Sequence, residues 1–207
     1  MLKSEKYKFL FVHVYKNAGT SITEALMPYA AGQCMQFINR INKKVALPFV
    51  DVPQPFHSHI SAIELIDKLG EDEFKKYFSF AFVRNPWDWQ VSLYKFMLKD
   101  KYHYQHEFIK GLGGFEQYLQ WRCSGNVRLQ KDFICSRTGR VALNFVGKYE
   151  NLAVDFKKIC SEVGIVADLP WRNSSGEKNY RDFYNEKTKL LVEESFKDDI
   201  DLFGYSF

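Results

Sequence analysis

The stretch FVHVYKNAGTSITEAL, residues 11–26, constrains the fold more than any other part of the chain. KFLFVHV, residues 8–14, is a short apolar run of β-type residues, which predicts a buried strand. Beyond it lie Lys16, Gly19, Thr20 and Ser21, and then Ile22, Ala25 and Leu26 recur at helical spacing. A helix N-terminus leaves several N–H groups unpaired and carries about half a positive charge, so a strand–loop–helix of this kind can seat a phosphate. Gly19 is expected to allow close backbone approach and unusual dihedrals. Thr20 and Ser21 add hydroxyl donors, and Lys16 adds a mobile ammonium. A plain turn with Lys16 in solvent would read the same from these residues alone. The order is not that of a nucleotide-kinase loop, G-x-x-x-x-G-K-[ST], because the lysine precedes Gly19 and none stands beside Thr20. An ATPase is therefore disfavoured.

FAFVRNPWDWQVSLYKF, residues 80–96, repeats the design. YFSFAFV, residues 77–83, predicts a second buried strand, and Asn85-Pro86 starts a helix running to about Lys99, with Asn as cap and Pro at the first helical position. Arg84 stands at the junction, where its planar fork could pair with an anion, and Ser92 on the helix could donate a hydroxyl. The structural alternative is that Arg84 bonds loop carbonyls and Ser92 the helix backbone. Two anion seats in one small domain point to a ligand with phosphates at two separate places.

The remaining chain alternates strand and helix signals. Ser61-Ala-Ile-Glu64 fits a capping box, with Ile63, Ile66 and Leu69 as the inward face and Gly70 as the stop. A helix is expected around FEQYLQW. FICSRTGRVALNFVGKYE reads as a hairpin turning near Thr138-Gly139 and leading into another strand. Asn151 is expected to cap a helix facing inward through Leu152, Phe156, Ile159 and Val163, and Asn185 the last one, with Leu190, Leu191 and Ile200 inward. Residues 31–56, with Pro48, Pro53 and Pro55, read as a surface excursion. The pattern predicts an α/β fold, with a largely parallel sheet and helices, as a single domain over residues 1–207.

Composition narrows the class. With 46% apolar residues and 17% aromatics the chain is not disordered, and its length allows burial of roughly 70% of the unfolded surface. A formal charge of +4 is a mild bias that suits an anionic ligand, and no nucleic-acid partner is expected. Cys34, Cys123, Cys135 and Cys160 form no C-x-x-C pair, so reduced thiols are expected and no metal or redox centre. MLKSEKYKFLFVHV lacks the apolar core and cleavage site of a signal peptide, and no run approaches the ~20 apolar residues of a membrane span. The expected location is cytoplasmic.

The two junction segments together resemble the sulfotransferases that use 3′-phosphoadenosine 5′-phosphosulfate (PAPS), most closely the carbohydrate-type, family 2-like enzymes and their soluble bacterial members. Lys16-Asn17-Ala18-Gly19-Thr20-Ser21 looks like the family's 5′-phosphosulfate loop, and Arg84…Ser92 like its 3′-phosphate motif. HSHISAIELIDKLG, NFVGKYENLAVDFKKIC and YRDFYNEKTKLLVEESFKDDIDLFGYSF also read like these enzymes, in order. The resemblance is faint at residues 28–56 and 98–128. It departs at Tyr15, Asn17 and Trp89, where many relatives carry Pro, Thr and Arg. It implies a P-loop-like fold with a central, mostly parallel sheet flanked by helices, and no metal. Lys16 would meet the sulfated phosphate; the N–H groups of residues 18–21, with the Thr20 and Ser21 hydroxyls, would hold the 5′ side. Arg84 and Ser92 would hold the 3′-phosphate, and Tyr180 and Arg181 would approach the nucleotide or serve packing.

Sulfuryl transfer to an alcohol needs a base and stabilisation of the leaving phosphate. His59 resembles the catalytic histidine of uronosyl 2-O-sulfotransferases, which also lies in a His-x-His arrangement before a helix. A helix N-terminus disfavours imidazolium, which suits a proton acceptor. His57 is the candidate for a supporting role, and His13 for orienting the loop or filling space. His103 and His106 could pair on a metal, but no third ligand is visible, and acceptor contact or plain surface fits them better. The expected activity is transfer of the sulfuryl group from PAPS to a hydroxyl of a carbohydrate or glycoconjugate, releasing adenosine 3′,5′-bisphosphate, with His59 as base. The alternatives are an ATP-using nucleotide or small-molecule kinase, and a non-catalytic nucleotide-binding module.

Overall fold

The computed structural model describes residues 1–30, 59–170 and 179–207. Those residues form two compact units: residues 1–30, 59–82 and 133–170 in one, and residues 83–132 and 179–207 in the other. The architecture is α/β, with a mostly parallel sheet flanked by helices.

The first unit holds the sheet. Among the described residues it has four strands in spatial order: β1 (Leu2–Ser4), β2 (Phe9–Phe11), β3 (Phe78–Val83) and β4 (Phe145–Lys148). β1 and β2 are antiparallel, pairing Lys3 with Leu10; β2 and β3 are parallel, pairing Phe11 with Phe80. β2 is buried throughout and β3 almost so, as strands covered on both faces must be. The core is aromatic at the sheet, and the helices add mainly aliphatic side chains with Phe156. Phe9, Phe11, Phe80 and Phe82 pack with Ile22 and Leu26 of the Gly19–Ala30 helix, and with Phe156 and Ile159 of the Leu152–Glu162 helix. Each such side chain is worth about 1.5–3 kcal/mol when fully buried. On β4, a Cβ at Gly147 would lie 2.5 Å from the Phe82 ring, so only glycine admits that ring.

Several local expectations hold. Ser61 caps the Ala62–Leu69 helix through a full capping box with Glu64, and Gly70 ends it. Its deepest residues are Ala62 and Leu65, rather than Ile63, Ile66 and Leu69. Two further expectations change. The hairpin at 133–150 shrinks to one bridge, Cys135 with Val141, because a short helix, Lys131–Ile134, takes up its first arm. The Asn151 side chain makes no cap bond; a 3₁₀ turn over Tyr149–Asn151 leads into the helix, and Asp155 accepts the Lys148 N–H instead. As expected, Cys123, Cys135 and Cys160 carry free thiols; Cys34 lies outside the described residues.

The second unit is helical: Pro86–Lys99, His106–Gly111, Phe115–Cys123, Glu186–Ser195 and Lys197–Phe203. Asn85 caps the first of these by accepting the Trp87 N–H, with Pro86 at its start. Trp89, at a departure from the family pattern, is buried edge-on against Phe196 at 6.0 Å. Asn185 caps as expected, with Thr188 completing a capping box. The last expected helix is two, and its buried stripe is Thr188, Val192, Phe196 and Asp199; Leu190 is 52% exposed. That stripe keeps helical spacing straight through the break at Phe196, on a different face from Leu190.

Candidate functional site

The site candidates fall in both units, and each half is built differently. In the first unit, β2 delivers the chain through His13 and Tyr15 to residues 16–18, and the helix begins at Gly19. Lys16 and Ala18 both hold left-handed backbone, at φ 64° and 60°. Each such non-glycine residue costs about 1–2 kcal/mol, and backbone of this alternating kind forms nests in which N–H groups converge on an anion. The Ala18 carbonyl accepts the first helical bond, from Ile22 N–H at 3.0 Å. Asn17 between them is buried, and its Nδ2 donates to the Phe82 carbonyl at 2.9 Å, which ties the loop to the end of β3. A side-chain amide thus anchors the turn.

Gly19 itself is not left-handed, so the unusual dihedrals expected of it fall on its neighbours. What glycine supplies is room. A Cβ there would lie 1.7 Å from Nε2 of His13. His13 thus fills the space beside the loop, one of the two roles expected of it. Burial, with the nearby His59 charge as a smaller cause, pushes the His13 pKa down to about 3. Its ring is neutral at physiological pH.

His59 lies against the other side of this group. Its ring centroid is 4.7 Å from that of His13 and 6.1 Å from that of Tyr15. Its Nδ1 is 3.1 Å from the His13 carbonyl oxygen. A carbonyl only accepts, so Nδ1 carries the proton and Nε2 is the accepting nitrogen of the neutral ring. One residue just beyond β2, His13, therefore contacts the loop through its ring and sets the tautomer of His59 through its backbone. His57 lies outside the described residues.

In the second unit, Arg84 and Ser92 are buried, at 4% and 6% exposure. Asp88 accepts from Arg84 Nε at 2.7 Å. Asp88 and Ser92 are four residues apart on one helix, so they share a face. Asn85 Nδ2 donates to the Ser206 carbonyl at 2.8 Å and lies 3.5 Å from the Tyr180 hydroxyl. The Arg181 guanidinium covers the Tyr180 ring at 4.7 Å and the Phe207 ring at 5.5 Å. Tyr180 is thus brought beside the residue that follows Arg84, while Arg181 stacks on aromatic faces. His106 directs Nδ1 to the Met97 carbonyl at 2.9 Å, and His103 Nδ1 accepts the Gln105 N–H at 3.2 Å, so both serve local structure. Among the described residues no group of three or more His, Cys, Asp or Glu is placed to hold a metal.

Sequence reasoning missed Gln130. Its side chain holds both backbone groups of Arg84, yet it stands in an unremarkable polar run, NVRLQKDF, where only its complete burial sets it apart.

A family model described as "Sulfotransferase family" matches residues 1–206. A protein of Archaeoglobus fulgidus described as "Uncharacterized protein" is 30% identical over 120 residues, which is 56% of this chain and 92% of that protein.

Proposed function

The chain belongs to the sulfotransferase family, whose chemistry is sulfuryl transfer, and on that premise we propose that it takes the sulfuryl group from PAPS to a hydroxyl of a carbohydrate or glycoconjugate. The observation that carries this reading is the left-handed pair Lys16 and Ala18 directly before the Gly19–Ala30 helix, a backbone that suits an anion, in a loop whose neighbour His59 offers an accepting nitrogen. We read residues 1–207 as one sulfotransferase domain.

PAPS supplies a sulfuryl group on a mixed phosphate–sulfate anhydride, with a nucleotide phosphate as leaving group. The N–H groups of residues 18–21 and the hydroxyls of Thr20 and Ser21 receive the 5′ side. The Lys16 ammonium balances charge that gathers on the departing phosphate. Arg84 and Ser92 hold the 3′-phosphate, with Tyr180 and Arg181 near the nucleotide. His59 Nε2 takes the acceptor's hydroxyl proton, and the Nδ1–H bond to His13 steadies the ring as it becomes imidazolium. No metal enters this scheme. The acceptor is a sugar hydroxyl by family likeness. Among the described residues no helix is long and apolar enough to cross a membrane. A cytoplasmic setting fits this reading.

Calorimetric titration with adenosine 3′,5′-bisphosphate and with ATP tests the donor. Tighter binding of the bisphosphate is expected, and preference for ATP would replace this reading with a kinase-like one.

A further inference from the structure

Arg84 follows the last residue of β3, where its N–H and C=O would next look for a strand partner. Gln130 takes that place with a side chain. Its Oε1 accepts the Arg84 N–H at 2.9 Å and its Nε2 donates to the Arg84 carbonyl at 2.8 Å. Two bonds from one planar amide fix the Arg84 peptide groups on both sides, and with them the direction of its Cα–Cβ bond. Gln130 is itself held. Asp199 accepts the Gln130 N–H at 2.8 Å through one carboxylate oxygen and the Lys131 N–H at 2.9 Å through the other. These are amides at the start of the Lys131–Ile134 helix, which Asp199 caps from the Lys197–Phe203 helix. Gln130 and Asp199 are both 0% exposed.

Resting on the assignment of Arg84 to the 3′-phosphate, we propose that Gln130, set by Asp199, is a positioning residue for that phosphate: it presets the arginine so that the chain distinguishes a 3′-phosphorylated nucleotide from one without it. A buried polar residue need only satisfy its own groups. Gln130 instead satisfies both backbone groups of Arg84, the charged member of the pair to which 3′-phosphate recognition is assigned, and a second buried side chain, from another helix, keeps it there. The side chain of Arg84 is fixed independently by Asp88, so its two ends are both defined before a ligand arrives. Preorganisation of this kind raises affinity by removing ordering costs from the binding step.

The test compares adenosine 3′,5′-bisphosphate with adenosine 5′-monophosphate by calorimetry on the full chain. The wild type should prefer the bisphosphate, and Arg84→Ala should remove most of that preference. Gln130→Met, which keeps the volume and loses both bonds, should cut the preference about tenfold, or about 1.4 kcal/mol. Its affinity for the monophosphate should be unchanged. In the Arg84→Ala background the same substitution should have no further effect on the preference. Asp199→Asn, nearly isosteric, should give the same selective loss to a smaller degree, and it carries the test if Gln130→Met does not fold. Equal weakening of both ligands, or no change in either variant, would overturn the proposal and leave Gln130 a fold residue while Arg84 keeps its role. A wild type without preference, or an Arg84→Ala variant that retains it, would overturn the 3′-phosphate assignment and this inference together.

Discussion

Two strand-to-helix junctions hold the proposed anion seats, one in each unit, and they are built from different materials. At residues 16–19 the seat is made of backbone: two left-handed residues, a glycine admitted because a histidine ring occupies its side-chain space, and a helix whose first turn holds no acidic residue. At residues 84–92 the helix N-terminus is already used. Asn85 accepts the Trp87 N–H, Pro86 has none, and Asp88 stands in the first turn. An anion at the second junction must therefore be met by side chains, and those side chains must be aimed by others. On the proposed reading, the backbone seat takes the phosphate next to the transferred group and the side-chain seat takes the 3′-phosphate.

The largest expected effect concerns a residue attached to the backbone seat. His59→Ala should lower turnover by about 10²–10⁴-fold, the usual span for loss of a general base, while leaving adenosine 3′,5′-bisphosphate affinity unchanged. Steady-state rates and calorimetry on the same preparation read both. Unchanged turnover would place the base elsewhere and detach His59 from the first junction.

Arg84→Ala comes next and addresses the other seat. Losing a charge-assisted pair should weaken the bisphosphate by about 1.5–3 kcal/mol and the 3′-dephosphorylated nucleotide far less. Equal losses would mean that the second junction does not read the 3′ end, and the contrast between the two seats would fail.

Gly19→Ala probes whether the first junction is as tight as its geometry says. The new methyl would fall within the His13 ring, which is wedged between Phe11 and His59 at ring distances of 5.8 and 4.7 Å. Overpacking of this kind costs about 1–3 kcal/mol, to be read from urea unfolding. His13→Ala/Gly19→Ala should recover part of that loss. A single variant as stable as the wild type would show that His13 moves aside easily.

The first junction was more legible in the sequence than the second. The left-handed turn of Lys16–Ala18 into Gly19, the Ser61 capping box and the Asn85-Pro86 start are largely local chemistry that spacing reveals, although the Asn17 tie to the Phe82 carbonyl spans 65 positions. β1 was not read because three residues, MLKS without its Met, show no pattern until they pair back on Leu10. Asn151 looks like a cap, but a tertiary 3₁₀ turn displaces it. Gln130 and Asp199 lie 46 and 115 positions from Arg84 by their numbering, and both sit in polar runs that read as surface. The aim of a backbone seat is written beside it; the aim of a side-chain seat is written wherever its supports happen to fall.

The smallest effect tests whether the two halves also differ in how they bear acid. His13 has a folded pKa of about 3, below its ordinary 6.5. Its contribution to stability is therefore intact above pH 6.5 and is lost as pH falls toward 3, because the unfolded chain takes up the proton first. Asp199 behaves oppositely. Burial, aided by Asp132 nearby and opposed by the two N–H bonds it accepts, raises its pKa from 3.8 to about 6. Its contribution is complete below pH 3.8 and is lost as pH rises through 6. Between pH 4 and 6 each group changes stability by up to about 1.4 kcal/mol per pH unit, in opposite directions, and the wild type should show a small net slope. His13→Gln should leave a stability that falls as pH rises through this window, and Asp199→Asn one that rises. Urea midpoints at pH 4, 5 and 6 read the slopes. If both variants kept the wild-type slope, neither buried group would titrate as its surroundings require, and the two junctions would be alike in this respect.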